Sequence, residues 1–126
     1  MNGAMGDISA DQLDELGRLL RQRQAQLRAE IEAHRREREA DDDHGGETND
    51  QKDEAAVRQY SAIVEAEDER DIAELQSIDA ALRRIAEGRY GACMDCGEPI
   101  GVQRLLAQPG ALRCAACQSA WERRHR

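Results

Sequence analysis

The chain has no Phe, one Trp and two Tyr among its 126 residues. So few bulky side chains cannot fill a conventional globular interior, and 35% charged residues leave little apolar surface for one. Only two Pro interrupt it, so helices can run long. No apolar run approaches the roughly eighteen residues that a membrane-spanning helix needs. Residues Met1 to Asp7 contain neither the basic nor the apolar segment of a secretory leader. These absences predict a cytoplasmic protein without membrane contact, with residues 1–8 as a disordered or non-native extension.

Ala, Leu, Glu, Arg and Gln are abundant, and such residues favour helices held together by a narrow apolar seam. The expected fold class is all-α. A long antiparallel helical hairpin of coiled-coil type spans 9–87 with an acidic tip at 41–55. A small four-cysteine lobe with a short closing helix occupies 88–126.

Charge is unevenly placed along the chain, which carries a formal −8 in total. Between 41 and 54, Asp41, Asp42, Asp43, Glu47, Asp50, Asp53 and Glu54 face the single Lys52, a balance of −6. From 88 onward, Arg89, Arg104, Arg113, Arg123, Arg124 and Arg126 outnumber Asp95, Glu98 and Glu122. An acidic projection repels nucleic-acid phosphates and suits a basic groove in a protein partner.

Ser9 and Gln12 form a capping-box pair, with Ile8 and Leu13 placed to staple the helix start. Leu13, Leu16, Leu20, Leu27 and His34 then trace a seam, broadened by Leu19 and Ile31 and interrupted by Arg23. His34 on that seam reads as a partly buried packing residue. The first helix is expected to end near Ala40, before Gly45 and Gly46 reverse the chain. The turn is a poor calcium loop, since Gly45 and Lys52 stand where ligands are required. Thr48, Asn49 or Asp50 can cap the second helix, which runs to about Glu87 with Gly88 as its stop. Its apolar positions, Val57, Tyr60 and Val64, then Leu75, Ile78, Leu82 and Ile85, predict a stutter and a loosened waist across Glu65 to Asp71. Two helices of about 32 to 34 residues predict a rod of roughly 50 Å. A hairpin that satisfies its own seam is expected to be a monomer.

Cys93 and Cys96, then Cys114 and Cys117, give C-x2-C-x17-C-x2-C. Each pair can direct two thiolates to one tetrahedral ion, and four thiolates close the shell of a structural zinc. No position remains for a reactive water, so no catalysis is expected at the metal. Ile100, Val102, Leu105, Leu106 and Leu112 are expected to pack around it.

The run YGACMDCGEPIGVQRLLAQPGALRCAACQSAWERR, preceded by a helical hairpin, resembles the DksA/TraR family of bacterial zinc-finger transcription regulators. The resemblance covers about 50 to 124 and implies a non-enzymatic protein that inserts its tip into the secondary channel of RNA polymerase and alters open-complex stability. Asp50, Asp53 and Ala55 fit the family's D-x-x-D-x-A tip pattern. The residues alone also allow Asp50 and Asp53 to serve as helix caps. Arg70 and Arg104 are the expected polymerase and guanosine tetraphosphate contacts. Ser77, Gln108 and Gln118 stand where further such contacts are expected, which predicts weak alarmone synergy. The chain has almost none of the family's N-terminal segment ahead of Ser9. A transcript-cleavage factor of the Gre type, a zinc-stapled protein adaptor and DNA binding through the basic lobe are the competing readings.

Overall fold

The computed structural model describes residues 8–44 and 51–125, with side chains for 8–40 and 65–125. Among the described residues four helices follow one another: α1 (Ala10–His44), α2 (Gln51–Ala86), α3 (Val102–Ala107) and α4 (Ala115–Arg124). No strand occurs among the described residues; one antiparallel bridge joins Ala92 and Pro99. The described chain forms two compact units, Met1–Gln24 with Gln76–Arg126, and Ala25–Leu75.

α1 begins as the capping box predicts. Gln12 N–H donates to Ser9 Oγ at 3.0 Å, and Ser9 N–H donates to Gln12 Oε1 at 2.9 Å. Two amides that the helix cannot satisfy are thereby paired reciprocally. Ile8, just ahead of the cap, is buried. α1 continues past the expected end at Ala40 through Asp41, Asp42 and Asp43 to His44. Three adjacent aspartates therefore do not stop the helix.

Leu16, Leu20 and Leu27 are buried, which places the α1 seam where periodicity predicts it. In the first unit the two long helices meet through Ile78 and Ala81 of α2, both buried, and through Gln24, whose Nε2 donates to Asp79 Oδ1 at 2.6 Å. In the second unit α1 and α2 are joined through His34, Arg38 and Asp68.

The stretch Glu65 to Asp71, where the stutter is expected, stays helical. α2 is continuous there, and Asp68 is 5% exposed. Asp68 lies seven residues before Leu75, itself seven before Leu82, and four after Val64, so a carboxylate takes the first seam position after the four-residue offset.

α2 ends in a Schellman motif. Gly88, at φ 74°, donates its N–H to Ile85 O at 3.1 Å, and Arg89 N–H donates to Arg84 O at 2.8 Å. A side chain at that φ costs about 1–2 kcal/mol. Gly88→Ala should therefore lower the stability of the zinc-loaded protein by about 1 kcal/mol in urea denaturation. An unchanged midpoint would mean that the turn relaxes freely.

Candidate metal centre and acidic tip

Two short turns deliver the cysteines. After the Schellman turn, Cys93 N–H donates to Glu98 O at 2.8 Å and Gly97 N–H donates to Cys93 O at 2.9 Å, closing a knuckle around Cys93 to Cys96. Gly97 adopts φ 78°, which favours a residue without Cβ. The second pair straddles the start of α4. Cys114 is the N-cap of that helix, its Sγ accepting from Cys117 N–H at 3.5 Å. Met94 N–H donates to Leu112 O at 2.8 Å, tying the first knuckle to the segment that leads into the second.

The four Sγ atoms lie within 4.8 Å of one another. A zinc ion with bonds of about 2.3 Å sets tetrahedral sulfurs about 3.8 Å apart, and Cys96 Sγ is 3.9 Å from Cys114 Sγ. The donor set therefore fits one zinc held by four thiolates. Crowding splits the thiols: Cys117 is pushed up to about 12, chiefly by hydrogen bonding with Cys114. Burial opposes ionisation of Cys93, yet backbone groups of Cys114, Cys96 and Asp95 bring it down to about 6. Thiolates this close repel, and a dication among them removes the conflict.

The apolar support is thin. Tyr90, Ile100 and Leu105 are buried, while Val102 and Leu112 are half-buried. Leu106, expected to pack around the metal, is exposed instead. It follows Leu105 by one position on α3, and adjacent helical residues point about 100° apart, so a six-residue helix buries only one of them. Tyr90 carries a role that its position in the sequence did not reveal. Its O–H donates to Pro109 O at 2.8 Å, and burial pushes its ionisation above the ordinary tyrosine range. The same loop seats Gly110 against Ile78 of α2, where an added Cβ would lie 3.3 Å from Cγ1.

Arg113 organises the outer side of the lobe. Its Nε donates to Asp95 Oδ2 at 2.7 Å, and its guanidinium lies 5.0 Å from the Trp121 ring centre. Trp121 in turn stacks on His125 with ring centres 4.1 Å apart. Arg104 Nε donates to Arg113 O at 3.1 Å.

Asp50 lies outside the described residues, as do Gly45, Gly46, Thr48 and Asn49. Asp53 and Ala55 fall on the first turns of α2, in a stretch whose side chains are likewise outside the description. Arg70 belongs to the unit Ala25–Leu75 and Arg104 to the other. Arg70 is exposed and borders an open cleft of about 360 Å³ together with Glu30, His34, Glu67 and Asp71.

Zinc analysis and chelation test the metal centre. The purified protein should carry one zinc per chain, and a strong chelator should abolish the Tyr90 and Trp121 near-ultraviolet signals. Retention of those signals after complete zinc loss would show that the lobe folds without metal.

Residues 88–123 match the prokaryotic dksA/traR C4-type zinc finger family. Over 52 residues the chain is 48% identical to the RNA polymerase-binding transcription factor DksA of Caulobacter vibrioides, a match covering 41% of this chain and 37% of that protein. This match thus spans little more than a third of that relative's length. A longer match, 28% identical over 115 residues, joins 91% of the chain to 74% of the DksA of Salmonella typhimurium. Among solved structures, the transcription factor DksA2 from Pseudomonas aeruginosa superposes with TM-score 0.73 and 32% identity, over 93% of this chain and 88% of that one. The DnaK suppressor protein from Agrobacterium tumefaciens gives TM-score 0.57 and 31% identity, over 85% and 91%. Family and geometry agree on one structural zinc at Cys93, Cys96, Cys114 and Cys117, and the chain belongs to the DksA/TraR family of four-cysteine zinc-finger proteins.

Proposed function

We propose that this chain is a transcription regulator that binds RNA polymerase directly and acts by contact without catalysing a reaction. The observation that carries the reading is the likeness to DksA2 over 88% of that structure, in a family whose curated members include proteins named RNA polymerase-binding transcription factor. The chain's own charge supports it. A balance of −6 between 41 and 54 suits a positively charged channel and opposes DNA.

On this reading the segment 41–55 enters the secondary channel of the polymerase. Asp50 and Asp53 approach the elements around the catalytic magnesium, Ala55 shapes the turn beside them, and open-complex stability changes at sensitive promoters. The zinc has a structural task only, because four protein ligands leave no coordination site for substrate. The protein acts in the cytoplasm, as a monomer.

Guanosine tetraphosphate contributes little in this proposal. Arg70 shares its cleft with Glu30, Glu67 and Asp71, three carboxylates that oppose a polyphosphate.

Titration of the labelled, zinc-loaded protein with core RNA polymerase tests the reading. Affinity should fall several-fold or more on going from about 0.1 M to about 0.5 M salt, as screening shortens the reach of the acidic segment. The alarmone should change it little. Binding that ignores salt would contradict steering by the tip, and no binding at either salt would contradict the partner.

A further inference from the structure

His34 lies seven residues beyond Leu27 in α1, and Asp68 seven before Leu75 in α2, so both occupy seam positions that a coiled coil ordinarily fills with apolar side chains. Within the unit Ala25–Leu75 they meet. His34 Nδ1 is 2.6 Å from Asp68 Oδ1, and Arg38 Nη1, one turn further along α1, forms an ion pair with Asp68 Oδ2. Asp68 is 5% exposed, and its Oδ2 is buried without hydrogen-bond geometry to any described residue. The carboxylate is therefore balanced chiefly by charge on His34 and Arg38. A buried ion that loses part of its balancing charge becomes costly.

We propose that His34, Asp68 and Arg38 form a proton-dependent lock between α1 and α2, held most firmly when the imidazole is charged and loosened as it deprotonates. A charged imidazole gives Asp68 a charge-assisted hydrogen bond. The neutral ring can keep its Nδ1–H on Oδ1 but loses the ionic part. The effect is a graded loosening of one layer of the seam, not its rupture.

The surroundings favour the charged ring. From α1, Glu30, Glu37 and Arg38 face it; from α2, Glu67, Asp68, Arg70 and Asp71 do so. Five carboxylates thus oppose two guanidiniums. The hydrogen bond with Asp68 raises the His34 pKa above its ordinary value; burial opposes this, and the charges of Asp68, Glu37 and Asp71 reinforce it. The ring borders the open cleft of about 360 Å³, which gives solvent protons a route to it.

The sign follows from linkage. A histidine pKa raised on folding contributes stability that is fully present below about pH 6.5 and is lost as pH rises through the higher folded value. The lock therefore tightens in mild acid and relaxes toward alkaline pH. The lock depends on three side chains within one unit and needs no contact with a polymerase.

The test uses the full, zinc-loaded chain without any partner. Nuclear magnetic resonance titration of the three histidines, with His34→Gln assigning the signal, should give His34 a midpoint above about 6.5. Asp68→Asn should bring that midpoint back toward about 6.5. Amides of 30–38 and 65–71, corrected for intrinsic exchange, should be protected several-fold more at about pH 5.5 than at about pH 8.5. His34→Gln should flatten that ratio. Should the variant not fold, the wild-type titration against Asp68→Asn still decides. A wild-type midpoint at or below about 6.5, or equal pH ratios in wild type and His34→Gln, would overturn the lock.

Discussion

Four thiols within 4.8 Å of one another cannot all ionise unless a cation sits among them. The C-terminal lobe depends on that constraint. Its apolar support amounts to Tyr90, Ile100 and Leu105, too few side chains to hold two knuckles, α3 and α4 together. Zinc substitutes for the missing core, and the local backbone is arranged for it. Gly97 turns the first knuckle, Cys114 caps α4 with its sulfur, and Tyr90 fastens the connecting loop through Pro109.

The long helices follow a different logic. Among the described residues their buried apolar positions are few: Leu16 and Leu20 on α1 with Ile78 and Ala81 on α2 in one unit, and Leu27 on α1 in the other. A seam this narrow tolerates a polar layer only when each group is matched, as with Gln24 to Asp79 and His34 with Arg38 to Asp68. Matched polar layers restrict which residues can face one another, so they favour one register over its neighbours. Along the outside of α1, Glu15 with Arg18 and Glu32 with Arg35 and Arg36 form exposed pairs of adjacent turns. They solvate the helix and add little else.

Features encoded over three or four residues were legible in the sequence. The Ser9 and Gln12 capping box, the Gly88 stop, the C-x2-C pairs, the apolar stripe of α1 and the closing helix α4 all depend on local backbone chemistry. What was not legible depends on residues far apart. Asp68 sits within a charged run, and its partners His34 and Arg38 lie thirty or more positions away. The link from Tyr90 to Pro109 crosses nineteen residues. Leu105 and Leu106 are alike in composition, and only the orientation of α3 separates the buried one from the exposed one. Asp50, Asp53 and Ala55 were selected by their likeness to a tip pattern, and their assignment continues to rest on that likeness and on local charge.

The central functional claim is that the acidic segment acts on the polymerase, while the zinc lobe and the seam hold the protein together. It is tested most directly by the lifetime of a ribosomal-promoter open complex, formed with purified RNA polymerase and zinc-loaded protein. The account predicts that the wild-type chain shortens this lifetime and that Asp50→Asn/Asp53→Asn abolishes the effect while still binding. An unchanged lifetime despite wild-type binding would contradict it, and would leave the two aspartates as helix-capping residues.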